Sequence, residues 1–149
     1  MNIIELNRNF GNIDIYLLDQ LLKGKINSEM KVLDAGCGEG RNLVYMINND
    51  FDVYGVDQNP TAIRMLKMFA KKMEPERFIV STIEDMIFPP NVFDYIISSA
   101  VLHFAKSHDH FEVMVKKMIE VLKPGGTLFI RMCTDLGLKP VSNLSNGIY

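Results

Sequence analysis

Val32-Leu33-Asp34-Ala35-Gly36-Cys37-Gly38-Glu39-Gly40 decides how this chain folds. Lys31 to Ala35 is a short apolar run that reads as a buried strand, and it stops at Gly36. Glycines at 36, 38 and 40 permit positive φ and let a ligand come close to the backbone. A helical pattern opens directly behind them, over Arg41 to Asn49. Strand, glycine turn and helix in that order form a nucleotide-type loop, and its spacing removes two versions. The dinucleotide fingerprint needs a third glycine where Arg41 stands, and a P-loop needs a Gly-Lys-Ser or Gly-Lys-Thr that is absent. Asp34 and Glu39 would also repel a pyrophosphate.

Outward from the loop, strands and helices alternate. Ile13 to Leu22 has helical spacing, and Val53 to Val56 is a second short strand. Asn59 is a good N-cap and Pro60 suits the first helical position, so a helix follows. Its expected apolar stripe is Ala62, Met65, Leu66, Phe69, Ala70 and Met73, and Pro75 ends it. Phe78 to Val80 and Phe93 to Ser98 read as the third and fourth strands. Asp109 and Glu112 look like a capping box for a helix through Phe111, Met114, Val115, Met118, Ile119 and Leu122. Lys123-Pro124-Gly125-Gly126 stops that helix, and Thr127 to Met132 is a fifth strand. Such alternation implies right-handed crossovers and a parallel sheet, a doubly wound α/β domain with helices on both faces. Ligands in these sheets bind beyond the carboxyl ends of the strands, at the topological switch point.

Asp57 ends the second strand about twenty residues past the glycines, where a carboxylate can accept two hydrogen bonds from a ribose diol. The loop and this acid together ask for an adenosine-like ligand without phosphates and with positive charge. S-adenosylmethionine, with its ammonium and sulfonium, matches.

The chain resembles the class I S-adenosylmethionine-dependent methyltransferases, in six segments that follow the family's order. The glycine loop resembles motif I, and Val53-Tyr54-Gly55-Val56-Asp57 the second-strand motif. Ser81 to Phe88 resembles the segment bordering the adenine, and Phe93 to Ile97 the fourth strand. Ser98 to Phe104 resembles the loop beneath the methionine part, and Leu122 to Leu128 the turn into the fifth strand. The resemblance implies a Rossmann-like sheet of about five strands here, lacking the C-terminal hairpin strands of the family's usual seven. It implies that Gly36, Cys37 and Gly38 line the methionine portion, with Asp34 near its ammonium. Asp57 would take the ribose hydroxyls and Gln58 would flank the adenine. Ile83 would offer its backbone N–H to the ring, with Thr82 or Glu84 supplying a side-chain contact; the family often has Asp where Thr82 stands. Ser98 would border the methionine end.

The chain has 149 residues, the size of one domain. We divide it into a helical cap (1–30), a core (31–132) and a tail (133–149). Net charge is -2, which gives no reason to expect nucleic acid or an anionic membrane as partner. Two cysteines make no disulfide framework, and no apolar run is long enough to span a bilayer, so the expected compartment is the cytoplasm. Cys37 sits between glycines with no basic sequence partner, so its thiol is not expected to react. His108 and His110 read as helix-start histidines, and no metal pattern forms. His103 follows the fourth strand and is the one candidate for a catalytic or acceptor-contacting group. Arg8, Phe10 and Tyr16 are candidates for a lid.

The expected function is methyl transfer to a small-molecule acceptor, leaving S-adenosylhomocysteine. The alternatives are a cofactor-binding domain without turnover and, against the loop's chemistry, a nicotinamide-dependent oxidoreductase. The fifth strand should be an edge, covered by the tail or paired with a second copy of the chain.

Overall fold

The computed structural model describes residues 2–133. Five strands form one sheet: β1 (Lys31–Ala35), β2 (Asp52–Asp57), β3 (Phe78–Val80), β4 (Phe93–Ser99) and β5 (Leu122–Arg131). Their order is β3-β2-β1-β4-β5, with every pairing parallel. The helices are α1 (Ile3–Phe10), α2 (Ile15–Leu22), α3 (Val44–Asn48), α4 (Pro60–Phe69) and α5 (His108–Val121). None of the described helices is long and apolar enough to cross a membrane.

Strand residues alternate between two cores because successive side chains point to opposite faces. Val32, Val53, Tyr95 and Ile97 pack with Leu17 of α2, Met46 of α3, and Ile63 and Leu66 of α4. Leu33, Ala35, Val56 and Ile96 face the other way, onto Met114, Met118 and Val121 of α5. Helices on both faces explain why these strands are apolar almost throughout. Burying each large side chain contributes roughly 1.5–3 kcal/mol.

Several boundaries differ from the sequence reading. Asn59 caps α4 as expected, its Oδ1 accepting from the N–H groups of Thr61 (2.9 Å) and Ala62 (3.3 Å). The buried face of α4 is Ala62, Ile63 and Leu66, while Met65 and Phe69 are about half exposed. Met73 lies past the helix end and packs there from a turn. Arg41 to Leu43 form a turn, and only Val44–Asn48 is helical. Ser107, not Asp109, caps α5: its extended backbone lets the hydroxyl accept from the His110 N–H (3.1 Å). β5 starts at Leu122, because Leu122 pairs with Phe93 and Thr127 with Tyr95. The intervening Lys123 to Gly126 is accommodated by a bulge in which Gly125 takes φ +79.

β5 ends the sheet among the described residues. The tail expected to cover it lies, from residue 134 onward, outside them.

Candidate functional site

β1 is flanked by β2 on one side and β4 on the other, so the chain's path reverses there and leaves a crevice above the strand ends. A cavity of about 380 Å³ opens in it. Gly36, Val56, Asp57, Gln58 and Asn59 line one part, Ser81 to Glu84 another, and Ala100, Val101, Phe104, Lys106, His110 and Met114 the rest.

The glycine loop is held down by β2. The Gly36 and Cys37 N–H groups both donate to the Val56 carbonyl, at 2.8 and 3.0 Å. The Gly38 N–H donates to Asp57 Oδ2 (2.8 Å), and the Asn59 N–H donates to Asp57 Oδ1 (2.8 Å). Each carboxylate oxygen therefore braces one backbone segment and keeps a lone pair for a further donor. Gly36 is at φ +87, and a Cβ there would lie 2.3 Å from Val101 Cγ2. Gly38 is at φ +53, but a Cβ there would meet nothing within 4 Å, so its small size serves the open side of the loop. Ala100, at the rim, takes φ +60 and donates its N–H to the Arg131 carbonyl (2.7 Å). A non-glycine residue in this region stores roughly 1–2 kcal/mol of strain.

Asp34 is 1% exposed, and neither carboxylate oxygen has a hydrogen-bond partner among the described residues. Burial pushes its carboxyl up to about 7, with Arg41 opposing and Asp57 adding to the rise. The buried Ser98 hydroxyl likewise lacks a partner there. The Cys37 side chain turns away from the cavity onto β2; a Cβ at Gly55 would lie 2.8 Å from its sulfur. Burial, then the charges of Asp34 and Asp57, push that thiol far above its ordinary value, which makes it inert.

Of the residues singled out in the sequence, Gly36, Asp57, Gln58, Thr82, Ile83 and Glu84 meet at the cavity. Asp34, Cys37, Gly38 and Ser98 lie off its lining, the first three in or just before the glycine loop. His103 lines a second cavity of about 310 Å³ with Leu102, Phe111 and Met132. Its Nδ1 is buried without a partner among the described residues, and its ring tilts against Phe104 at 4.3 Å.

The helical cap packs beside this region. Phe10 stacks on Tyr45 of α3 at 4.8 Å, and the Arg131 guanidinium lies over the Tyr16 ring at 5.4 Å. Buried Asp14 caps α2, accepts from the Ser99 hydroxyl (3.2 Å) and pairs with Arg131 (2.9 Å). None of Arg8, Phe10 and Tyr16 lines the 380 Å³ cavity.

Sequence reasoning missed His110. Its Nδ1 accepts from the Lys106 N–H (3.0 Å), which leaves Nε2 to donate to Glu84 Oε1 (2.9 Å). Burial pushes the Glu84 carboxyl up, but hydrogen bonds from its own backbone, His110 and Thr82 outweigh this and hold it below the ordinary range. Thr82 donates its hydroxyl to Asp85 (3.0 Å). In the sequence His110 shows only a helix start, and its partner lies 26 positions away.

Residues 33–130 match the profile of a family described as methyltransferase domain. The chain belongs to that family. This methyltransferase domain is 34% identical over 116 residues to a Haemophilus influenzae protein named probable S-adenosyl-L-methionine-dependent methyltransferase TehB. The match covers 74% of this chain and 39% of that protein. It is 30% identical to the mouse mitochondrial ubiquinone biosynthesis O-methyltransferase, covering 77% of this chain and 34% of the relative. It therefore spans well under half the length of these curated relatives. Among solved structures it resembles a TehB-like S-adenosylmethionine-dependent methyltransferase from Corynebacterium glutamicum, with TM-score 0.65 and 28% identity. That likeness covers 77% of this chain and 61% of the other. The five-stranded, all-parallel sheet agrees with the Rossmann-like fold expected of the family.

Proposed function

We propose that this domain binds S-adenosylmethionine and supports methyl transfer to a small-molecule acceptor. The observation that carries the reading is Asp57, whose carboxylate braces Gly38 and Asn59 at the cavity edge and retains acceptor sites for a ribose diol. The cofactor fits the residues present. The buried Asp34 carboxylate, unpaired among the described residues, provides for a cationic group, and the open face of Gly38 lets a ligand approach the backbone. Gln58 and Ile83 border the space for the base.

When bound, S-adenosylmethionine supplies an electrophilic methyl group on a sulfonium. The chain's own task is to hold and orient. Asp57 fixes the ribose end, and the glycine loop fixes the backbone beside it. No side chain is assigned a proton-transfer role. The mouse relative's name, with its quinone-pathway O-methylation, supports a small acceptor. That β5 is an edge strand among the described residues supports association with a second copy.

Titration calorimetry with S-adenosylhomocysteine tests the cofactor reading. Wild type should bind, and Asp57→Asn should bind roughly tenfold or more weakly, through loss of charge-assisted hydrogen bonds. Absence of binding by wild type, or tighter binding of a nicotinamide dinucleotide, refutes it.

A further inference from the structure

Among the described residues the sheet ends on β5 at one side and on β3 at the other. β3 pairs with β2 alone there. The Ser81 N–H donates to the Asp57 carbonyl (3.0 Å), so by the alternation of a parallel ladder the Val80 N–H and carbonyl point away from β2. Val80 is 53% exposed. Beside it runs an open groove of about 470 Å³ between β3 and α4. Ile63, Met68 and Val80 supply its apolar lining, and Arg64, Lys67 and Lys71 its charge. None of these residues lines the cofactor cavity.

The three cations form a row. They stand at i, i+3 and i+7, on one side of α4 and the turn that follows it. None of them has an ion pair or hydrogen bond among the described residues. Elsewhere Arg77, Lys116, Lys117 and Lys123 each pair with a carboxylate. The C-terminal end of α4 favours cations at Lys67 and Lys71, but Arg64, in the middle of the helix, gains little from it. Like charges one turn apart repel, and an anionic partner would offset that repulsion.

Strand edge and cation row together select one class of partner. Outward N–H and carbonyl groups on an edge strand take main-chain hydrogen bonds from a second strand, and the row takes carboxylates. Lipid or nucleic-acid phosphates would satisfy the row and leave the strand edge unpaired. We propose that this groove docks an extended acidic peptide of a partner protein, which adds beside β3 and turns alternate acidic side chains toward Arg64, Lys67 and Lys71.

Fluorescence anisotropy of the full chain with a short labelled peptide of alternating Glu and Val tests this. The peptide should bind saturably, with Kd about 100 μM or tighter, and slow the exchange of the Val80 amide. Raising salt from about 50 to about 300 mM should weaken it roughly threefold or more. The same peptide with Pro at two adjacent central positions cannot complete the strand and should bind at least about fivefold more weakly. Reversing the row with Arg64→Glu, Lys67→Glu and Lys71→Glu should weaken the Glu-Val peptide about tenfold or more, with circular dichroism and melting temperature as in wild type. Equal binding of the Pro peptide, indifference to salt, or no saturation by about 1 mM peptide overturns the proposal with wild type alone. Unchanged affinity in the charge-reversed variant overturns it as well. Tighter binding of oligouridylate or of phosphatidylglycerol vesicles than of the Glu-Val peptide also overturns it, and gives the row to a phosphate surface instead.

Discussion

Replacing Asp34 by asparagine should make the unliganded protein more stable at pH 8 and weaken its grip on a cationic ligand. Asp34 titrates at about 7 in the fold, against an ordinary value of 3.8. Between those values the folded chain holds a proton that the unfolded chain has released. Stability therefore falls as pH rises from about 4 to about 7, and is flat above, where both states are ionised. The interval from 3.8 to about 7 corresponds to ~4 kcal/mol of lost stability at pH 8. Asparagine removes that charge but leaves a buried amide without partners, at a cost of roughly 1–3 kcal/mol. The net gain at pH 8 is then ~1–3 kcal/mol, or about 3–9 °C in melting temperature at roughly 3 °C per kcal/mol. At pH 5 wild-type Asp34 is neutral, so the gain disappears and the variant is equal or less stable. Urea unfolding of both proteins at pH 5 and pH 8 measures this. A difference between wild type and variant that is the same at both pH values refutes the argument. The physical logic is that a carboxylate kept buried and unpaired destabilises the empty fold and is offset only when a cation arrives.

Two further outcomes follow from the loop and the sheet edge. Gly36→Ala should destabilise the fold by at least ~2 kcal/mol, since φ +87 and the 2.3 Å approach to Val101 act together. Gly38→Ala, at φ +53 in open space, should cost only ~1 kcal/mol yet weaken S-adenosylhomocysteine binding; equal stability losses in chemical denaturation would contradict this. At the edge, β5 amides facing away from β4 should exchange slowly with solvent, and sedimentation should show a dimer if a second copy covers them. A monomer whose outward β5 amides exchange freely removes both expected coverings.

Much of this protein was legible because its signals are local. The glycine loop, the N-cap at Asn59 and the first four apolar strands are set by neighbours in sequence, and each appears where its residues say, whereas β5 begins five residues early. Asp57 could be read because its distance from the glycines follows from one strand–helix–strand unit. Some local signals competed. Ser107 and Asp109 are both good caps, and only the extended backbone at Ser107 decided between them. The stripe on α4 was misjudged because which residues face the sheet depends on how the helix is rotated against it, and Ile63 won over Met65 and Phe69.

The sequence by itself determined the fold class, the parallel sheet through its βα alternation, and the place of Asp57 at the end of the second strand. Tertiary structure alone decided which of those residues meet. It drew Glu84 and His110 together from two segments, turned Cys37 inward, placed His103 in a separate cavity and left Asp34 buried without a partner among the described residues. The reason is physical: backbone preferences and periodicity act over a few residues. Side-chain pairing, desolvation and cavity shape depend on what distant segments bring to the same few ångströms.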